Sequence, residues 1–319
     1  MILVTGASGF IGSHVVDHLR RHGHDVRCLV RRSSSLRYLP SAELAYGDLI
    51  SGEGLGDALR GVNCVIHLAG VTKALRAADY YKGNATATAS LVGAMKDRPA
   101  RLVHVSSLAA AGPSPDGHAI DEDETPAPLT HYGKSKLEAE EIARGLPGAV
   151  IVRPPVVYGP RDADVFQLLQ SISKGLVLQI AGGQRWFSAI YVKDLAEGLA
   201  AAAFTSAAAG RTYFLTHPEA LTWTVFSDAA AGIMGKRPRL VSIPYRAAWA
   251  AGFGAEVWSL VTGRPGILSR DKVSEARRTY WICSGARAAG ELGFAARTSI
   301  WDGLAETLAW YKEAGWMAY

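Results

Sequence analysis

The chain opens on a short uninterrupted apolar run, Ile2-Leu-Val4, of the kind a strand buried on both faces requires. The period then changes at once. Over residues 13–23, Val15, Val16 and Leu19 recur at helical spacing, and Gly23 closes the segment. Further apolar strand runs are predicted at 25–30, 43–46, 64–68 and 101–105, with another just before Arg153. Helical patterns fall between them: a loop or short helix at 71–81, a helix from Asn84 to about Met95, and one from Thr130 to about Gly145. In the last of these Thr130 is the expected N-cap, Leu137 and Ile142 mark the inward face, and Gly145-Leu-Pro147 stops it. Strands that alternate with helices in this way pair in parallel and need helices on both faces. The pattern predicts an α/β fold built on a doubly wound parallel sheet.

The segment joining the first strand to the first helix is Thr5-Gly6-Ala-Ser8-Gly9-Phe10-Ile11-Gly12. Glycines here let backbone N–H groups approach a pyrophosphate, and the helix N-terminus adds partial positive charge. Gly6, Ser8, Gly9, Phe10, Ile11 and Gly12 are therefore expected cofactor-binding positions of a Rossmann-type dinucleotide site. Leu68, Ala69 and Gly70, at the end of the fourth strand, are expected to let the cofactor's ribose pass. The end of the second strand selects the cofactor. An NAD(H) site wants a carboxylate there for the ribose 2′-hydroxyl, whereas this chain has Val30 followed by Arg31 and Arg32. Guanidinium groups bind a 2′-phosphate that a carboxylate would repel, so NADP(H) is expected over NAD(H).

Composition adds exclusions. The net charge of +5 comes from dispersed Lys and Arg, with a local excess at Arg27, Arg31, Arg32 and Arg37 that suits a cofactor phosphate; no nucleic-acid partner is expected. Cys28, Cys64 and Cys283 lie far apart without metal-ligand spacing, which fits reduced thiols, no metal site and a cytoplasmic setting with no leader segment. The alanine-rich stretch 195–209 and the stretch 247–262 both fall short of a membrane span. The second is expected to line an apolar substrate pocket, with weak membrane contact as the other reading. The acidic run Asp121 to Glu124, in a proline-rich loop over 113–128, is expected to be solvated.

Tyr132 and Lys136 stand four apart at the start of a helix and so share a face. A lysine ammonium beside a phenol, together with a cationic nicotinamide, favours the phenolate and moves the tyrosine toward working pH. This pair follows a dinucleotide loop and a strand ending in Ser106-Ser107. The set, with Arg153-Pro-Pro-Val-Val-Tyr-Gly-Pro160 and Arg185-Trp-Phe-Ser-Ala-Ile-Tyr-Val-Lys-Asp194, resembles the extended short-chain dehydrogenase/reductase superfamily, an epimerase/dehydratase-like group, across the whole chain. The resemblance implies Tyr132 as general acid/base and Lys136 as its partner on the nicotinamide ribose. It implies Ser107, five positions before Gly112, as the hydroxyl that polarises the substrate oxygen, and Asn84 as support for the lysine. It also places Asp48 and Leu49 at the adenine, Pro155 and Val157 beside the nicotinamide carboxamide, and a homodimer across the helices at 84–95 and 132–144.

Within that superfamily, dehydratases carry Asp-Glu after the active-site hydroxyl, where this chain has Leu108 and Ala109. Epimerases usually hold NAD tightly, against Val30-Arg31-Arg32, although Arg185 keeps a sugar-nucleotide epimerase/reductase open as the alternative. Aromatic residues of the C-terminal part (Trp186, Phe253, Trp258, Tyr280, Trp281) favour an apolar carbonyl compound, as in flavonoid-reductase and 3β-hydroxysteroid-dehydrogenase-like members. Lys73, Tyr80, Ser107, Trp186 and Tyr280 are the expected substrate contacts. Tyr191 stands where many relatives have histidine and has no assigned role. A non-catalytic cofactor-binding regulator is a further alternative, which the intact Ser107, Tyr132 and Lys136 oppose. The expected division is a dinucleotide domain of residues 1–157 plus 189–209 and a smaller, discontinuous substrate domain of 158–188 plus 210–319.

Overall fold

Six apolar segments of the first half of the chain pair edge to edge. In the computed structural model, which describes residues 1–319 apart from Pro40, Ala181, Arg264, Pro265 and 267–269, they are β1 (Ile2–Thr5), β2 (Val26–Val30), β3 (Glu43–Tyr46), β4 (Cys64–His67), β5 (Arg101–Val105) and β6 (Val150–Val152). Between them run α1 (Phe10–Arg21), α2 (Leu55–Ala58), α3 (Ala77–Tyr81), α4 (Ala87–Met95), α5 (Leu108–Ala111) and α6 (His131–Ala143). The chain continues through β7 (Val156–Tyr158), α7 (Ala163–Ser173), β8 (Leu176–Ile180), β9 (Trp186–Phe187), β10 (Ala189–Tyr191), α8 (Val192–Phe204) and β11 (Thr212–Tyr213). It ends with β12 (Leu221–Thr222), α9 (Trp223–Ile233), β13 (Arg239–Ile243), α10 (Tyr245–Thr262), α11 (Arg270–Ala276), β14 (Tyr280–Trp281), α12 (Ala286–Leu292) and α13 (Ile300–Glu313).

The main sheet is parallel, in the order β11-β6-β5-β4-β1-β2-β3. Side chains of a strand alternate between faces, and both faces of β1 are buried. Ile2 and Val4 join a core with Val15, Val16 and Leu19 of α1 and Leu195 and Leu199 of α8. Leu3, pointing the other way, packs with Leu55, Leu91 and Met95. The order reverses between β1 and β4, and a crevice outside the strand ends at such a switch point is where this fold holds ligands.

Two expectations change here. The segment 189–209 does not return a strand to the main sheet: Ala189–Tyr191 pairs in parallel with Val156–Tyr158 as a separate two-stranded sheet, and only α8 rejoins, packing on α1. The seventh strand is Thr212–Tyr213, from beyond residue 209, paired to β6. Nor does Asn84 open a helix. The helix begins at Ala77, where the Asp79 carboxylate accepts the backbone N–H of Arg76, and Asn84 lies inside a π-helical turn, Lys82–Thr86.

The remaining elements gather around a second core that includes Leu169, Ile172, Phe187, Phe226, Leu304 and Tyr311. Tyr191 finds its role there: it is buried, with its ring 5.6 Å from that of Tyr158. A third departure concerns α10. The helix forms, but Trp249, Phe253, Trp258, Leu260 and Val261 stand exposed rather than walling a pocket.

Candidate active site

The first turn after β1 crosses its own chain so closely that a Cβ on Gly12 would lie 2.2 Å from the Gly6 carbonyl oxygen, which only glycine tolerates. The turn forms the floor of a cleft of about 280 Å³, lined by Gly6, Ser8, Gly9, Arg31, Asp48, Leu49, Leu68, Ala69 and Gly70 among the expected residues. Cleft, glycine turn and helix N-terminus fit a dinucleotide. Phe10, Ile11 and Gly12 form the first turn of α1 beneath it, with Ile11 packed into the core. Pro155 and Val157 are half-buried at β7. One oxygen of Asp48 accepts the N–H groups of Ile50 and Ser51, so this carboxylate also shapes the cleft wall.

At the end of β2, the Arg31 N–H donates to Ser34 Oγ and the Ser34 N–H to the Arg31 carbonyl, bringing both side chains to the cleft. Ser34 escaped the sequence reading because its approach depends on this turn. Arg32 does not line the cleft; its guanidinium lies 5.3 Å over the Tyr46 ring.

The cleft leads on to α6, since a Cβ on Gly70 would lie 3.7 Å from Lys136 Nζ. Thr130 caps α6 as expected, its hydroxyl accepting the Gly133 N–H at 3.2 Å. Gly133 lets the helix press against α5: any Cβ there would meet the Ala109 carbonyl at 2.3 Å. Ser107 caps α5 by accepting the Ala109 N–H at 3.1 Å, and its hydroxyl favours the ionised form of Tyr132. Ser106 points the other way and donates to Glu140 Oε1 at 2.6 Å, so of the two serines Ser107 belongs to the site. Lys136 donates to the Val105 carbonyl at 2.7 Å. Burial pulls its ammonium down to about 8, partly offset by Glu140 one turn along. Asn84 is bonded to both backbone groups of Val71 and to the Ser135 hydroxyl, and so buttresses the same wall from behind.

The protein's own groups act on Tyr132 in both directions. Burial is the largest influence and raises Tyr132; the Ser107 hydroxyl and the Lys272 ammonium oppose it. Lys272, whose Nζ lies 5.8 Å over the Tyr132 ring, is a second residue of the candidate site that sequence reasoning missed. It arrives on α11, which docks on the start of α6: Thr130 Oγ1 donates to Glu275 at 3.0 Å and the His131 N–H to Asp271 at 3.4 Å. No local motif marks such a long-range neighbour.

The expected substrate contacts separate. The Tyr80 ring is 6.1 Å from that of Tyr132. Lys73 is ion-paired to Asp164, while Trp186 and Tyr280 are in-register neighbours on β9 and β14. The Arg185 guanidinium is spent on the carbonyls of Gly182, Gly183 and Ala276 and does not have the free fork a phosphate needs. Glu122, expected in solvent, is buried, accepting the Phe214 N–H and facing Arg287. The three cysteines are free and buried, which pushes each thiol up to about 11 or 12 and leaves none as a nucleophile. Among the described residues no cluster suited to a metal occurs, and no helix is long and apolar enough to cross a membrane.

The family model described as NAD dependent epimerase/dehydratase family matches residues 2–215. The chain is 31% identical to the ceramide reductase of Caulobacter vibrioides (strain NA1000 / CB15N), over 99% of this chain and 96% of that protein. It is 29% identical to the 4-hydroxy-2-methyl-3-oxo-4-farnesyl-3,4-dihydroquinoline-1-oxide ketoreductase of Stigmatella aurantiaca, over 94% and 93%. Among solved structures it resembles MoeE5 in complex with UDP-glucose and NAD, with 26% identity, a TM-score of 0.78, and 98% and 99% of the two chains covered.

Proposed function

The chain belongs to the NAD dependent epimerase/dehydratase family, and from that premise we propose that it is an NADP(H)-dependent reductase of a ketone on a largely apolar, amphipathic molecule. The observation that carries this reading is the close packing of α5 on α6 at Gly133, which sets Ser107 at the cap of α5 and Tyr132 on α6 side by side, with Lys136 one helical turn along. When bound, the nicotinamide supplies the hydride that a carbonyl carbon receives. Tyr132 gives a proton to the carbonyl oxygen. Ser107, its Oγ already fixed by the Ala109 N–H, donates to that oxygen as charge develops. Lys136, reached past Gly70, orients the ribose, and Lys272 above the ring favours the phenolate left after proton transfer. In the oxidising direction Tyr132 takes the proton from a secondary alcohol.

NADP(H) is supported by Arg31 and Ser34 at the end of β2, with buried Val30 where a carboxylate would stand. The NAD held by MoeE5 speaks for the other cofactor. The apolar substrate class is supported by relatives named for ceramide and for a farnesyl-bearing ketone. A sugar-nucleotide epimerase has MoeE5's UDP-glucose in its favour and the engaged Arg185 against it. A homodimer across the outer faces of α4 and α6 belongs to the same proposal, and a monomeric mass in solution would remove it.

Fluorescence titration with NADPH and NADH side by side tests the cofactor assignment. Tighter NADPH binding that is lost in Arg31→Ala supports it. Stronger NADH binding, or NAD retained through purification, overturns it in favour of the epimerase. A regulator would behave alike with Tyr132 or Tyr132→Phe.

A further inference from the structure

We propose that α10 docks in the plane of an anionic phospholipid surface, its aromatic side chains among the head groups and the surrounding basic residues holding it there. The eighteen residues of α10 include only two charged ones, Arg246 and Glu256, and Glu256 is committed to Arg270 (Oε2 to Nε, 2.7 Å). A narrow stripe of small residues, Ala248, Gly252 and Ser259, is buried. Five large side chains are not, with Trp258 69% and Val261 76% exposed beside Trp249, Phe253 and Leu260. A helix apolar on all sides belongs inside protein or lipid, and here, among the residues whose side chains are described, protein fully covers only small ones. β13 runs through Pro244 straight into α10 and extends the surface: Leu240 and Val241 are exposed, and Val241 lies in register with exposed Leu178 on β8. Exposed apolar area on this scale marks an interaction site.

Charge decides the occupant. Residues 236–280 hold nine Lys and Arg against three Asp and Glu, a net +6, while the rest of the chain holds twenty-five against twenty-six, a net −1. The chain's whole excess of positive charge therefore flanks this helix. Lys236, Arg237, Arg239, Arg246, Arg277 and Arg278 are exposed, and among the described residues none of the six has a carboxylate partner. A second copy would bring the same +6 and be repelled. An anionic bilayer matches both features, since tryptophans settle at the head-group level and basic residues bind the acidic lipids. α10 is not long and apolar enough to cross, which leaves the surface as its place.

This face adjoins the catalytic residues. α11, which follows α10, carries Lys272 over Tyr132. A pocket of about 440 Å³, lined by Leu129, Tyr245, Ser274, Arg277 and Arg278, opens between the first turn of α10 and the segment that leads into α6. On the reductase reading, a lipid ketone would pass from bilayer to Tyr132 beside this helix; the docking itself does not depend on that reading.

Flotation of the full chain with vesicles of phosphatidylcholine, alone or mixed with phosphatidylglycerol, tests the proposal without any catalytic readout. The chain is expected to float with the mixed vesicles and to remain behind with phosphatidylcholine alone. Trp258→Glu should abolish flotation. Lys236→Gln/Arg237→Gln should weaken it about thirtyfold, at about fivefold per basic residue near an anionic surface. Thermal unfolding of both variants should match wild type, which shows that the fold persists. A wild type that floats with neither vesicle, or a Trp258→Glu variant that floats undiminished, overturns the proposal. So does a dimer that Trp258→Glu dissociates without vesicle binding, since the face would then belong to a second copy.

Discussion

Removing one charge from the buried face of α6 should unfold the protein far more readily than removing two. Glu140 is completely buried on α6, one turn beyond Lys136. Its oxygens accept from Arg153 Nε at 2.8 Å and Nη2 at 2.7 Å, from Ser106 Oγ at 2.6 Å and from Arg144 Nη2 at 3.1 Å. Arg153 is itself buried, with its guanidinium 5.8 Å over the Phe214 ring. Glu140→Gln keeps the shape but leaves that cation uncompensated and turns one acceptor into a donor aimed at it. Breaking a buried pair in this way costs about 3–5 kcal/mol, whereas replacing both partners with apolar residues of similar size is close to neutral. Urea unfolding should therefore show Glu140→Gln losing about 4 kcal/mol. Glu140→Leu/Arg153→Met should recover most of the loss, short of about 1 kcal/mol for the Ser106 hydroxyl stripped of its acceptor. A loss below about 1 kcal/mol in the single variant, or a double variant no more stable than the single, would refute the reasoning. The same change reaches the site. Glu140 opposes the burial that holds Lys136 near 8, so without its charge the ammonium deprotonates at lower pH. The alkaline limb of cofactor binding should move down with it.

Three shorter predictions follow from the same geometry. Arg31→Ala should weaken NADPH binding by about 10- to 100-fold, the worth of a charge-assisted contact, with NADH binding unchanged in parallel titrations. Ser107→Ala should lower kcat by about 10²–10³, as loss of an oxyanion donor does, with little change in cofactor affinity. Asp162, buried at the cap of α7, has its carboxyl pushed up to about 7 by burial from an ordinary value of 3.8. The fold thus keeps a proton that the unfolded chain has released, and stability falls as pH rises from about 4 to about 7. Asp162→Asn keeps an acceptor for the Asp164 N–H and cannot ionise, so its stability should be flat across that window. It should exceed wild type by roughly 2–4 kcal/mol above it; identical pH–stability curves would count against the assignment.

What could be read from the sequence is what depends on neighbours in the chain. The Gly6 to Gly12 turn is a local crossing, the Thr130 cap spans three residues, and Tyr132 and Lys136 share a helix turn, so each stood in the one-dimensional pattern. The residues that escaped depend on distant segments. Lys272 and Glu275 reach α6 from about 140 positions away, and Glu122 is buried because Phe214 and Arg287 come to it. Thr212–Tyr213 is too short to announce itself as a strand and is recruited by the open edge of β6. The burial of Tyr132 escaped for a related reason. Sequence spacing shows a nearby ammonium but not the desolvation that outweighs it. α10 shows the opposite case, where apolarity was visible but not the side it would face. Nothing in a run of alanines and aromatics tells a pocket wall from a surface helix until the rest of the fold is placed.

The central claim is that Tyr132 transfers the proton in a ketone reduction, and the most direct measurement compares NADPH consumption by wild type and Tyr132→Phe. A long-chain amphipathic ketone presented in mixed micelles is the substrate, and NADPH affinity is measured separately by fluorescence. The expected result is turnover by wild type and a loss of at least about 10²–10⁴ in kcat for Tyr132→Phe, the usual worth of a general acid, with NADPH affinity unchanged. Equal rates in the two proteins, or a wild type that binds NADPH and consumes none of it with any ketone offered, would contradict the account.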